Sequence, residues 1–251
     1  ARDWGRQLLA LTPTDANAVA HQLNLELAAR DLTAALQLAQ RMVMLRPDDP
    51  HHHERLAQVA EWAGHPATAL PEWLWLARRK PDSNAPDHAL KLGRGLHDNH
   101  AIIEMLTLRA RTEGLKSGEL AELVKLYEHV GEPEKAVLFL RQHVTRFPLE
   151  RQGWGLLAGV QERRGELATT LDLWREMGQR FGLSVPETTH QAELVWRLNQ
   201  PGKALDLLRS VRHRADAGDT AYWRLLGELA WRQGSPEDTL VAYHTLWQSP
   251  E

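Results

Sequence analysis

Three kinds of punctuation recur along this chain in one phase. Pro13, Pro47 and Pro81 are equally spaced, and Pro148 falls one position short of two further steps. A small residue followed by leucine or valine keeps the same step: Ala35-Leu36, Ala69-Leu70, Ala136-Val137 and Ala204-Leu205, continued by Thr170-Leu171 and Thr239-Leu240. Most of these pairs follow shortly after a turn: Arg30-Asp31, Gly64-His65, Gly131-Glu132, Gly165-Glu166 and Gly234-Ser235. A sustained period of about 34 residues means one supersecondary unit used many times. Such a unit buries its apolar faces only by stacking on its neighbours.

Between the punctuation marks the pattern is helical. Leu120, Leu123, Val124 and Tyr127 form one stripe, and Ala136, Val137, Leu140 and Val144 form the next. Spacings of three and four put each set on one helix face. Gly131 can end the first helix, Pro133 suits the first turn of the second, and Pro148 closes the hairpin. No stretch sustains a period of two, so the expected class is all-α. The units run 16–49, 50–83, 84–116, 117–150, 151–184, 185–219 and 220–251, about seven repeats of an antiparallel helix pair. The expected architecture is a right-handed superhelical solenoid. Ala1 lies one period before Ala35, so residues 1–15 read as only the second helix of an earlier, truncated repeat. The end at Pro250-Glu251 has no polar capping helix, which suggests the middle of a longer solenoid. Bulky residues four positions after the small ones (Trp73, Leu140, Trp174, Leu208, Tyr243) are expected to fill space against the next unit.

Composition removes several classes of function. Cysteine is absent, which excludes disulfides, thiolate metal sites and cysteine nucleophiles while leaving the compartment open. The formal charge of −3 gives a polyanion no attraction, so no nucleic-acid partner is expected. No apolar run is long enough to span a bilayer, and Ala1 opens no signal peptide. There is no Gly-x-Ser-x-Gly, no His-Glu-x-x-His and no phosphate loop, so no catalytic group and no cofactor are expected. Gly93-Arg94-Gly95 sits in a helical stretch, where it is expected to loosen packing. His51-His52-His53 is the conspicuous histidine run. Neighbours on a helix point about 100° apart, so the three do not converge on an ion, and they read as a solvated helix start with no metal. Glu132, Glu134, Lys135, Glu237 and Asp238 read as solvated first-turn charges.

Two segments carry a family likeness. Ala221–Trp247 contains Trp223, Leu226, Gly227, Gly234 and Tyr243 in order, and Ser117–Pro148 contains Leu123, Tyr127, Gly131, Ala136 and Pro148. On these residues the chain resembles the tetratricopeptide repeats over nearly its whole length. Unit 84–116 departs from the pattern, with Asp98-Asn99 in place of a glycine turn, and the sixth unit turns at Asn199-Gln200-Pro201-Gly202. The resemblance implies a binding face lined by the first helix of each pair, with candidate positions just before each turn. Trp196 and Trp231 stand there, each followed by arginine (Arg197, Arg232), with Trp62 close to the same place and Arg224 earlier on the same helix as Trp231. Aromatic–arginine patches of this kind suit protein hot spots and could also stack on sugars. The alternative is that these tryptophans are oversized packing residues between units. Trp73 fits the core, whereas Trp75, two positions on, must face elsewhere. Asn24, Gln58, Lys125, Gly159, Glu193 and Glu228 do not compose the asparagine–lysine clamp with which some relatives hold a terminal carboxylate.

The Trp-rich hairpin from Trp62 to Trp75 is also similar in style to the periplasmic repeat arrays of Pel-type exopolysaccharide exporters. That likeness implies a periplasmic array of an outer-membrane protein, with PelA, the periplasmic enzyme that trims the polymer, as partner. The expected function is a non-catalytic protein–protein interaction scaffold, docking a PelA-like polysaccharide-modifying enzyme for exopolysaccharide export and biofilm formation. The alternatives are a groove that binds or guides the polysaccharide directly, and a general cytoplasmic adaptor.

Overall fold

The computed structural model describes residues 2–116 and 118–248. Ala1, Ser117 and the Pro250-Glu251 ending lie outside the described residues. Among the described residues every regular element is a helix. They group into two compact units, Ala1–Val130 and Gly131–Glu251. The division falls inside the segment 117–150 read above as one hairpin, at the Val130–Gly131 turn.

The first unit contains α1 (Arg2–Leu11), α2 (Ala16–Ala28), α3 (Leu32–Leu45), α4 (Pro50–Trp62), α5 (Pro66–Arg79), α6 (Ala85–Leu96), α7 (Asn99–Thr112) and α8 (Glu119–His129). The second contains α9 (Pro133–Arg146), α10 (Arg151–Arg163), α11 (Leu167–Phe181), α12 (Val185–Arg197), α13 (Pro201–Val211), α14 (Thr220–Arg232) and α15 (Pro236–Gln248), with a short 3-10 turn Arg212–Arg214 after α13. Within each unit successive helices pack on one another: α2 on α3, α4 on α5 and α6 on α7 in the first, and α10 on α11, α12 on α13 and α14 on α15 in the second.

The hairpin turns share one backbone geometry. The amide of the residue after each left-handed position donates back five positions, as in Asp31 to Glu26, His65 to Ala60, Asp98 to Gly93, Glu166 to Gln161, Gln200 to Val195 and Ser235 to Ala230. This is the closure of a helix end by a left-handed residue, which favours glycine because a β-carbon is strained there. Gly64, Gly165 and Gly234 supply it, but Arg30, His97 and Asn199 hold the same conformation at φ 58°, 56° and 60°. Two of these exceptions are followed by an aspartate that caps the next helix: Asp31 accepts from the Ala34 amide and Asp98 from the Ala101 amide. A cap of this kind contributes about 1 kcal/mol, which offsets a good part of a left-handed penalty of about 1–2 kcal/mol. Asn199 tolerates the conformation by its own local polarity.

Small residues sit where paired helices cross. Ala35, Ala69, Thr170 and Ala204 are wholly buried at such crossings. Gly93 extends the device: a β-carbon there would lie 3.3 Å from Ile102 Cγ1, so this glycine tightens the approach of α7 to α6 and does not loosen it. Of the space-filling residues, Trp73, Leu140 and Leu208 are buried, whereas Tyr243 is 49% exposed because no later helix among the described residues covers α15.

Two expectations about charged helix starts are corrected. His53 is buried, because it points inward from α4 against α5 while His51 faces solvent. Its Nε2 donates to the Pro47 carbonyl at 2.7 Å, its Nδ1 lies 2.5 Å from the Glu72 carboxylate, and its ring stacks on Trp75 at 3.6 Å. Arg79 also lies 3.6 Å from the Trp75 ring centroid, which gives that tryptophan its separate environment. Asp238 is buried too, and takes hydrogen bonds from Arg209, Arg212 and Ser235. Burial works to raise its pKa, but the bonds from Arg209 and Ser235 and the charges of Arg209 and Arg212 outweigh it, holding the carboxyl below its ordinary value. Nearby, burial pushes the Tyr222 hydroxyl up to about 12, and that hydroxyl donates to the Leu208 carbonyl.

The contrast between Trp73 and Trp75 is measurable. Trp73→Ala should cost about 3–5 kcal/mol, and Trp75→Ala about 1 kcal/mol, read as shifts in the urea midpoint. Asp238 adds a pH dependence. Because its folded pKa is depressed, its contribution is present above the unfolded value of about 3.9 and is lost as the pH falls through the folded value. Asp238→Asn should therefore cost about 1–3 kcal/mol at neutral pH, and the gap to the parent should close in acid urea titrations.

Candidate functional site

In the second unit the three first helices α10, α12 and α14 all end on arginine: Arg163, Arg197 and Arg232. A cation there is favoured by the helix dipole, so the residue type alone has a structural explanation. The preceding positions hold Glu162, Trp196 and Trp231. Each later arginine reaches back to the helix before it. Arg197 Nη1 lies 3.2 Å from Glu162 Oε1, and the Arg232 guanidinium carbon lies 5.2 Å from the Trp196 ring centroid. Arg232 also donates to Glu228 at 2.9 Å on its own helix. Glu162 is shared, since His190 Nε2 of α12 lies 2.8 Å from its other oxygen.

The six candidates therefore have different fates. Trp196 is half-buried, packs against the core of its unit and is covered by Arg232, so the packing alternative describes much of its surface. Trp231 is 74% exposed at the end of α14. Arg224 is exposed two helical turns earlier on that helix, on the same side as Trp231. Arg197 and Arg232 are exposed and follow Trp196 and Trp231 in the chain, Arg197 turned to Glu162 and Arg232 to Trp196 and Glu228. Trp62 belongs to the first unit. It is the last residue of α4 and 56% exposed, so it takes the arginine position, and Glu61 takes the one held elsewhere by Trp196 and Trp231.

A joint not marked by any sequence motif recurs in both units. In the first unit Glu61 of α4 accepts from Trp73 Nε1 of α5 at 2.5 Å and lies 3.1 Å from His88 Nδ1 of α6, whose ring stacks on Trp73 at 4.3 Å. In the second unit Glu162, Trp174 and His190 repeat the trio, with His190 bonded to Glu162 and edge-on to Trp174 at 5.5 Å. There the Trp174 indole nitrogen is buried without a hydrogen bond. Glu61 precedes Trp73 by the same step that separates Glu162 from Trp174, a regularity visible in the sequence once the period is known. These groups tie three consecutive helices together. Among the described residues, no cluster of three histidine, aspartate or glutamate side chains is arranged to hold a metal ion. No described helix is long and apolar enough to cross a membrane.

Residues 176–251 match the family model described as tetratricopeptide repeat. The fold is of the tetratricopeptide type. A chain of a Naa15/Naa10 structure bound to HypK-THB aligns over 93% of this chain with a TM-score of 0.60 and 13% identity. This chain spans 37% of the length of that one. A tetratricopeptide repeat protein from Parabacteroides merdae aligns over 94% of this chain and 93% of its own, at TM-score 0.41 and 11% identity. MamA from Desulfovibrio magneticus aligns over 66% of this chain and 94% of its own, at TM-score 0.41 and 12% identity. No curated protein matches the chain.

The contact of Arg232 with Trp196 should be measurable as a coupling. A double-mutant cycle with Trp196→Ala and Arg232→Ala should return about 0.5–1 kcal/mol in urea unfolding, the range of a solvent-exposed cation–π pair.

Proposed function

We propose that this chain is a docking scaffold without catalytic chemistry of its own, and that it holds a protein partner along the ends of α12 and α14. The observation that carries the reading is the exposed Trp231 indole on a helix end, with exposed Arg232 next in the chain and exposed Arg224 two turns earlier along the same face. An aromatic side chain loses little conformational freedom on burial, and a guanidinium beside it can bind a partner carboxylate through two hydrogen bonds. A helix end inside a packed hairpin presents both groups already positioned, which lowers the entropic cost of binding.

The partner we assign is a periplasmic polysaccharide-modifying enzyme of the PelA kind. The scaffold would then be part of an outer-membrane exopolysaccharide export protein that serves biofilm formation. The support for this finer reading is the likeness of the Trp62–Trp75 hairpin to such arrays. A second reading, direct binding of the polysaccharide, is favoured by the exposure of the Trp62 and Trp231 rings, whose faces can stack on sugars.

Calorimetric titration of the chain with a purified PelA-type enzyme tests the first reading. Trp231→Ala and Arg232→Ala should each raise Kd roughly tenfold or more, with helicity unchanged by circular dichroism. An unchanged Kd in folded variants would remove this surface from consideration. Binding of cationic oligosaccharides without binding of the enzyme would transfer the support to the second reading.

A further inference from the structure

The second unit holds a groove of about 320 Å³ between α11 and α13, with α12 as its floor. Leu171 and Arg175 line it from α11, Gln191 and Val195 from α12, and Lys203 and Leu207 from α13. The two residues from each helix are four apart and so share one face. Leu171, Gln191 and Val195 are buried, while Arg175 and Lys203 stand at the rim in solvent. All three helices lie inside the unit, with α10 before them and α14 after, so its walls and floor are all supplied by described residues.

Gln191 is the residue out of place. Counted back from the hairpin turns, Leu56, Leu123, Leu157 and Leu226 hold its position in other first helices, and all four are buried. Gln22 of α2 holds it too, but its amide donates to Glu26 at 2.6 Å. The Gln191 side chain is 6% exposed and has no hydrogen-bond partner among the described residues. An unpartnered buried amide costs about 1–3 kcal/mol, and leucine at this position would avoid that cost. The fold alone gives no reason for glutamine here, whereas a polar occupant of the groove does. Charge makes that occupant an anion. Lys203 has no ion-pair partner among the described residues, because Asp206, one turn further on, is turned to Arg209 at 3.4 Å. Arg175 reaches Asp172 through Nη1 at 2.8 Å, which leaves its other donors free.

We propose that this groove binds a small organic acid, a carboxylate carried on a branched or aromatic apolar body. The carboxylate sits between Lys203 and Arg175, where charge-assisted hydrogen bonds are about twice as strong as neutral ones, and accepts a further bond from the Gln191 amide. The apolar body lies on Leu171, Val195 and Leu207. The volume is near the low end of the roughly 300–1,000 Å³ of small-molecule pockets, which suits a ligand of this size. This inference goes beyond the docking reading and shares no residue with it.

Saturation-transfer NMR and calorimetric titration of the whole chain with isocaproate and with phenylacetate, each set against its neutral amide, test it. The carboxylates should bind with a Kd of about 1 mM or tighter, and the amides roughly tenfold or more weakly. Lys203→Met should raise the carboxylate Kd roughly tenfold or more with the urea midpoint unchanged, while Lys125→Met, at an exposed lysine of the first unit, should alter neither. Gln191→Leu should weaken binding to the same degree and yet raise the urea midpoint, because it restores the apolar residue of the other first helices. A glutamine that served only the fold would lower that midpoint instead. Trp231→Ala and Arg232→Ala should leave these affinities in place, which separates the outcome from enzyme docking. Absence of carboxylate binding at about 10 mM, a groove that holds water only, overturns the proposal. So does equal binding of acid and amide, binding that survives both Lys203→Met and Gln191→Leu, or a fall in the urea midpoint of Gln191→Leu.

Discussion

The structure depends on the close crossing of two helices at a small residue. Ala35, Ala69 and Ala204 are wholly buried at such crossings, and Thr170 does the same work with its hydroxyl turned back to the Glu166 carbonyl. At that separation the backbones are near enough for leucines on both sides to interlock. A hairpin so formed still exposes one apolar face, and only the next first helix covers it. Stability is consequently local and nearest-neighbour.

The joints between helices are more polar than that description requires. Trp73 is almost wholly buried, yet its indole nitrogen has a carboxylate partner in Glu61, and His88 closes over its ring. The second unit repeats the trio with Glu162, Trp174 and His190, keeping the glutamate–histidine bond but not the indole one. In the first unit Arg109 is buried between Glu119 of α8 and Asp87 of α6. A buried polar group is costly unless it is partnered. The two first-unit sets are satisfied in one register only, which gives neighbouring hairpins a defined seating that apolar packing alone would leave loose.

The period, the helical class, the turn positions and the burial of Trp73 were legible in the sequence because they rest on spacing alone. Spacing did not reveal His53, since a histidine run after Pro47-Asp48-Asp49-Pro50 looks like any solvated helix start. Its burial follows from Glu72 and Trp75 on α5. The burial of Asp238 is hidden from spacing for the same reason: its partners Arg209 and Arg212 belong to the preceding hairpin, a long way back along the chain. Among the candidate site residues, position before the turn identified Trp196 and Trp231 together, although one is covered by Arg232 and the other is open.

The sequence by itself determined that this chain builds helical hairpins at one regular interval, where they turn, and which tryptophan enters the core. Those properties follow from helix geometry, from glycine and proline, and from small residues at fixed steps, all of which act within one unit. Only the tertiary structure decided which polar side chains are sealed into joints and which aromatic faces stay open. Such outcomes depend on what a neighbouring helix, distant in the sequence, places against each side chain.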